Sequence, residues 1–491
     1  MLEFKVRSRF YSLFLILCSL VFASNAFTAT INASGNSLAA VQTAVNSASE
    51  GDAVVIPPGT VQWSGTLSIT KKITLSGQGS YAVDANHNDI GTWPLKITTT
   101  SGNSYPLITF NASAGSGIVR ITGIFFEGDT FGTGYKWWEP VQHGFIAEKI
   151  ANAATYRIDN CKFHNTGNTG DYAADIGTNS VLAFGLMDHN YHYSDRGAGK
   201  TWMIQRVDAS EHPGGVGGTD WSGTVAWSQD MVWGSANFVF IEDCTIKRPN
   251  STSWAPLTID ANAGGRVVFR YNYQENGLIE THSQTGGGNT RSGQGMEIYN
   301  NTFVSQWNIY EVLFLRGGTW LIHNNTFRGS PQNWIRMTDT MRAGNWGTVD
   351  GTKLWDGNCN SCTNQHGICA LGCGNASYVT GYPYLDQLGM GKAATRAQNS
   401  AALQPQVHQP ARIWNNGGDL PAGSGAGAET YNKRIVNMAS ALIVENRDYY
   451  FSNDATAAEP GYTPYTYPHP LQTGQQVFQI RPAAPVIVQI Q

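Results

Sequence analysis

Residues 267–328 read VVFRYNYQENGLIETHSQTGGGNTRSGQGMEIYNNTFVSQWNIYEVLFLRGGTWLIHNNTFR. One short phrase occurs three times in this stretch, as VVFRYNY, MEIYNNTF and WLIHNNTF, and places Asn272, Asn301 and Asn325 at the same point. The steps between them are 29 and 24 residues, and a recurrence of about 20–50 residues marks a repeat architecture. Each phrase alternates apolar with polar residues and ends in a polar turn, as a short strand does. One such strand cannot bury its apolar face alone, but a stack of coils can.

The phrase continues toward the N-terminus. FIEDCTI puts Cys244 in the asparagine position, GLMDHNYHY puts Asn190 there, YRIDNCKF puts Cys161 there and VRITGIFF puts Ile124 there. ITLSGQG, from Ile73, reads as an earlier coil whose turn uses glycine. The gap of 54 residues between Asn190 and Cys244 leaves room for two coils, or for one coil carrying a long loop. A buried asparagine at a stacked turn can satisfy backbone groups of neighbouring coils, which explains its recurrence beside apolar residues.

This pattern resembles the right-handed parallel β-helix of the pectin-lyase-like superfamily, over roughly Ile31 to Phe327. The opening SLAAVQTAVNSASEGDAVVIPPGTVQWSGTLSITKKITLSGQG is similar to the usual start of that fold. The resemblance implies an all-β solenoid with a short amphipathic helix capping the first coil. It also implies an active groove on one outer face, built by strand ends and loops. It does not name a reaction, because the fold hosts lyases, hydrolases, epimerases and adhesins.

Lys5, Arg7 and Arg9 precede an apolar run from Tyr11 to Phe22, and Ser24 and Ala26 supply small residues for cleavage. Residues 1–26 therefore read as a secretory signal peptide cleaved after Ala26. The run is too short for the roughly 20 apolar residues of a membrane span, and no other stretch is apolar enough. The expected product is a secreted, periplasmic or cell-surface protein with no membrane span. Residues 27–330 form the expected β-helix. Residues 331–491 form an expected C-terminal extension packed along it.

Charged residues make up only 13% of the chain, against 55 Gly, 15 Trp and 21 Tyr, a balance that suits an extracellular β-rich protein. A net charge of −4 leaves no basic footprint for nucleic acid. It is compatible with an acidic polysaccharide partner met by local arginines. Cys161 and Cys244 read as buried ladder residues, since free cysteine packs as a small hydrophobe. Cys359, Cys362, Cys369 and Cys373 crowd one loop, 359–373. In an exported chain they read as two disulfides, with a four-thiolate zinc site as the competing reading.

Residues 131–138 and 191–233 break the rhythm of the coils and read as long loops, which carry function more often than a scaffold does. If exposed, Trp137, Trp138, Trp202 and Trp221 suit stacking on sugar rings; otherwise they pack the loops onto the wall of the helix.

Aligning coils on their asparagine turns brings polar residues together. Asp260, Asn262 and Arg270 fall on one coil, Glu280, His282, Arg291 and Glu297 on the next, and Glu311 and Arg316 on a third. Coils stack about 4.8 Å apart, so one substrate can span all three. β-Elimination on a uronate needs the carboxylate neutralised, to acidify the proton on C5, and a base to remove that proton. Arg291 and Arg316 suit the first task and His282 the second, giving a catalytic set of His282, Arg291 and Arg316. Asp260, Asn262, Arg270, Glu280 and Glu297 are the accompanying binding candidates, with Asp260 and Glu280 as orienting groups or ligands of a possible Ca2+. Each has a structural reading too: His282 as a loop histidine, Arg270 as a partner of the next coil, and Glu297 as half of an ion pair.

Two other readings stand beside a polysaccharide lyase. A glycoside hydrolase needs two carboxylates about 5–9.5 Å apart, for which Asp260, Glu280, Glu297 and Glu311 are candidates. The chain contains no NTD and no GHG phrase, and Met187–His189 offers only an isolated DH dipeptide. A non-catalytic glycan-binding or adhesin β-helix needs aromatic and hydrogen-bonding groups, but no histidine set between arginines.

Overall fold

The computed structural model describes residues 28–99, 106–112, 117–128, 144–148, 155–166, 174–179, 184–195, 200–206, 226–227, 229–249, 256–282, 292–306, 309–337, 386, 388–392, 407–420, 424–426, 434–437 and 443–474. Residues 1–26, expected to be a signal peptide, Arg291, Trp137, Trp138, Trp221 and the four clustered cysteines lie outside them.

Strands of two to six residues, each too short to be stable alone, wind into three long parallel sheets of 12, 11 and 10 strands. The first contains Arg266–Arg270, Gly295–Tyr299 and Thr319–His323; the second contains Tyr273–Glu275, Thr302–Ser305 and Thr326–Gly329; the third contains Leu257–Asn262, Leu278–Thr281 and Glu311–Leu315. Each coil visits the sheets in turn, so every strand pairs with its counterpart one coil away. Successive parallel crossovers of the favoured hand give a right-handed parallel β-helix. Inward residues such as Ile241, Phe269, Ile298, Ile322, Phe303 and Ile279 form one continuous core. Leu38–Ser47 closes the N-terminal end: Ser37 caps the helix through Ala40 N, and Val41, Ala44 and Val45 are buried.

The asparagine ladder is the seam of the solenoid. The Asn272 side chain accepts from Cys244 N (2.9 Å) and donates to Ile241 O (2.9 Å). Asn301 accepts from Asn272 N (2.9 Å) and donates to Phe269 O (2.8 Å), and Asn325 accepts from Asn301 N (3.0 Å) and donates to Ile298 O (2.8 Å). Asn190 does the same for Cys161 N and Ile158 O. Each amide thus satisfies two buried backbone groups of the preceding coil, where water cannot reach. The residue before each rung takes a left-handed conformation, which turns the chain between sheets: Asn160, His189, Asp243, Tyr271, Asn300, Asn324 and Asn415 all have φ between 51° and 58°. This column explains the doubled asparagines of the phrase, since asparagine tolerates that region. Tyr271 tolerates it less well, and its ring is stacked on Tyr467 at 3.7 Å. Cys161 and Cys244 are buried rungs with free thiols.

The structure resolves two points left open by the sequence. Gly185–Asp188 pairs directly with Val239–Glu242, so the 54-residue gap holds one coil carrying a long insertion. The stretch 191–233 is not loop throughout, because Tyr191–Ser194 and Lys200–Gln205 are sheet strands. Asn416 is a further rung, accepting from Asn325 N (3.1 Å) and donating to Ile322 O (2.9 Å).

The chain beyond residue 330 plays two parts. Asn333–Met337, Ala411–Trp414, Arg434–Asn437 and Tyr449–Phe451 extend the first and third sheets. Residues 453–474 then run back along the outside of the first sheet. Arg157 donates to Leu471 O (3.1 Å), Arg270 to Tyr465 O (2.6 Å) and Thr466 O (2.8 Å), and Tyr467 OH to Asp243 (2.7 Å).

Candidate active site

On the third sheet, Trp202, Ile204, Ile259, Ala261, Ile279, Leu313, Leu315, Ile335 and Met337 point into the core. The alternating positions stand on the outer face. Register therefore sets Met203, Asp260, Glu280, Phe314 and Arg336 in one outer row, one residue per coil. Two of them are carboxylates on adjacent coils, and His282 follows the strand that carries Glu280.

The imidazole bridges the pair. His282 Nδ1 lies 3.1 Å from Glu280 Oε1 and 3.4 Å from Asp260 Oδ1. The other oxygen of each carboxylate meets a cation: Asp260 Oδ2 pairs with Lys200, and Glu280 Oε2 accepts from Arg316 Nη1 at 2.8 Å. Only His282 reaches solvent appreciably. Its side chain is 35% exposed, against 8% or less for the other four. Thr281 Oγ1 accepts from Arg316 N (3.3 Å) and Gly317 N (3.2 Å), and fixes the loop that carries the guanidinium. Gly318, at φ 68°, completes that corner, where a Cβ would lie 2.4 Å from Gly293 O.

Burial alone would raise both carboxyl pKa values. It is outweighed at Asp260 by Lys200 and His282, and at Glu280 by Arg316 and His282, so both stay ionised below the usual range. Burial and Arg316 push the His282 pKa down, but Glu280 and Asp260 push harder and it ends above its ordinary value. Nδ1 is the nitrogen facing the carboxylates, whose charge favours a proton there; that assignment leaves Nε2 as the nitrogen that exchanges one.

The donor atoms of Asp260, Glu280 and His282 lie within 4.8 Å of one another, as metal ligands do. The charge balance fits calcium poorly. Lys200 and Arg316 already neutralise the two carboxylates, and calcium prefers a shell of six to eight oxygens to an imidazole. With His282 neutral, the five groups carry no net charge.

The structure separates the other candidates. Asn262 shares the Asp260 strand and is 8% exposed; its Oδ1 has no hydrogen-bond partner among the described residues. Arg270 is not in this face. It is fully buried on the first sheet, bonded to Glu242 (2.5 Å), Tyr299 OH (2.9 Å) and two carbonyls of the returning chain. Glu297 is also on the first sheet, where it accepts from Tyr462 OH (2.5 Å) and Gly234 N (2.8 Å); burial pushes its pKa up to about 7. Neither presents a surface to a sugar. Trp202 is a core residue with no exposure, packed edge-on to His192, and is not a loop aromatic. Glu311 lies on the third sheet, 3.4 Å from Arg336, with its pKa raised by burial to about 7. Lys200 was missed by the alignment of coils, because the insertion after Gln205 hid the coil to which it belongs.

Comparison of the sequence with known protein families and with curated proteins gives no match. Solved structures with a similar chain path include an alginate lyase from a Paenibacillus species, 14% identical, with 62% of this chain and 97% of that chain covered and a TM-score of 0.35. Another is ORF18 of Geobacillus virus E2, 14% identical, covering 63% and 54%, with a TM-score of 0.34. A third is the A-module of a mannuronan C-5 epimerase from Azotobacter vinelandii, 12% identical, covering 61% and 94%, with a TM-score of 0.26. These likenesses carry no information about the chemistry of the site.

Proposed function

We propose that the protein is an exported polysaccharide lyase that cleaves a uronate-containing polymer by β-elimination, with His282 as the base. The observation that carries this reading is the partly exposed imidazole of His282, held at Nδ1 by two buried carboxylates that are each clamped by a cation. A base oriented and strengthened from behind by a carboxylate is the arrangement that proton abstraction requires.

In the proposed reaction, Nε2 of neutral His282 takes the proton from C5. The electrons of that C–H bond form the C4–C5 double bond. The C4–O4 bond breaks, and the departing oxygen takes a proton from the imidazolium or from solvent. Charge develops on the uronate carboxylate in the transition state; Arg316, buried and paired with Glu280, would act on it through the field of its charge, and Arg291 is the candidate for direct contact. No metal enters this scheme. Export rests on the N-terminal segment, which reads as a signal peptide.

Hydrolysis fits less well. Its acid must be a protonated carboxyl, yet Asp260 and Glu280 are held ionised, and Glu311 is 2% exposed. The test is to incubate the protein with polygalacturonate, alginate and glycosaminoglycans, following ultraviolet absorbance and new reducing ends together. Elimination gives both. Reducing ends without absorbance mean hydrolysis, and glycan binding with neither signal means a binding module.

A further inference from the structure

The outer row of the third sheet continues past the His282 cluster. Phe314 stands in register with Glu280 on one side and Arg336 on the other. Two guanidiniums flank its ring: the Arg316 Cζ is 5.2 Å from the centroid and the Arg336 Cζ 4.9 Å. Arg336 is 24% exposed at its side chain and is held from below by Glu311 at 3.4 Å. Leu257 and Leu278 pack with Phe314 into a small apolar cluster separate from the core. The face therefore exposes the Arg336 guanidinium one coil, about 4.8 Å along the axis, beyond the coil that carries Phe314 and the buried Arg316.

That spacing is close to the advance of one pyranose ring along an extended polysaccharide. A bound chain whose successive rings turn the same edge to the protein would bring a carboxylate to each coil if the uronates are consecutive. In a polymer that alternates uronate with an uncharged or amino sugar, the next carboxylate lies two rings away. We propose that Arg336 is a specificity residue that binds the carboxylate of the uronate adjacent to the one at His282, so that the site takes runs of consecutive uronates rather than alternating glycosaminoglycans. Phe314 packs against both guanidiniums and helps hold Arg336 in place. This inference rests on the reading of the His282 cluster as a uronate site.

The test measures binding in the His282→Ala background, where substrate is not consumed. Titration calorimetry uses tetramers of galacturonate, tetramers of mannuronate and hyaluronan oligosaccharides as probes. Arg336→Gln is made together with Glu311→Gln, so that no buried carboxylate is left unpaired, and thermal melting checks the fold. At least one uronate tetramer should lose affinity by about tenfold or more, the scale of a lost hydrogen bond between charged groups. Arg336→Lys, which keeps the charge but loses the planar fork, should lose less. Hyaluronan should bind weakly and be indifferent to Arg336. Unchanged affinity for both tetramers in the double variant overturns the proposal, as does hyaluronan binding that is equally tight and equally sensitive to Arg336. The two readings separate cleanly. Loss of tetramer binding in a protein that yields no unsaturated product keeps the subsite and removes the lyase. Elimination that does not respond to Arg336 keeps the lyase and removes the subsite.

Discussion

The outer faces of the first and third sheets carry the same kinds of charge in opposite settings. On the first, Arg157–Asp188 and Arg270–Glu242 pair across coils, and the returning segment 453–474 covers them; the Arg270 and Glu242 side chains have no exposure. On the third, Lys200–Asp260 and Arg316–Glu280 are also buried, but a partly exposed histidine sits against both carboxylates. Arginine–carboxylate pairs alone therefore do not mark a functional face. What distinguishes the third sheet is a partly exposed histidine set against two carboxylates on adjacent coils; His189, at the end of a first-sheet strand and 39% exposed, bonds to Asp188 (3.0 Å).

The sharpest way to break the comparison is His282→Ala. Loss of a general base should lower kcat by about 10²–10⁴-fold, with little change in melting temperature, because the side chain is partly exposed. Arg270→Ala should do the reverse. It strands Glu242 in the interior at a cost of about 3–5 kcal/mol, lowering the melting temperature, while activity per folded molecule is retained. If Arg270→Ala abolished turnover in protein that remained folded, the two faces would not be separate.

The faces should also differ in their response to pH. Glu297, on the first sheet, has a folded pKa raised by burial from 4.5 to about 7. Between those values the folded state holds a proton that the unfolded state has released. Stability from this group is complete below about pH 4.5 and is lost as pH rises through 7, a swing on the order of 3 kcal/mol. Glu297→Gln should flatten that part of the profile, leaving the parallel share of Glu311. Asp260 and Glu280 act oppositely. Their lowered values contribute stability above the ordinary carboxylate range that is lost as acid protonates them. Urea unfolding of Glu297→Gln and Asp260→Asn across pH should give profiles that diverge in opposite directions. The smallest expected effect is that of chelator, which should leave the rate nearly unchanged, because Lys200 and Arg316 already balance the carboxylates that calcium would need.

The solenoid was legible in the sequence because a single phrase repeats and its asparagine has one physical job. Asn416 escaped because 91 residues separate it from Asn325, so the rhythm is lost although IWNN repeats the phrase. Asp260, Glu280, His282 and Arg316 were legible because aligning turns also aligns the strands that follow them. Arg270 and Glu297 were misplaced for a related reason. Alternation tells inside from outside, but not which outer face a later segment will cover, and the cover of Arg270 comes from Thr466, 196 residues away. Lys200 shows the complementary limit, since its coil is hidden by an insertion in the next part of the chain.

The most direct test of the account is the pH dependence of kcat for elimination on a polyuronate, in the native protein and in Glu280→Gln. The base works when neutral, so the rate should rise with pH along a limb whose midpoint lies above the ordinary histidine value of about 6.5. Removing the Glu280 charge should move that limb to lower pH, and Arg316→Gln should move it higher. A limb that stays in place in both variants, or a rate that survives His282→Ala, would contradict the assignment of His282 as the base.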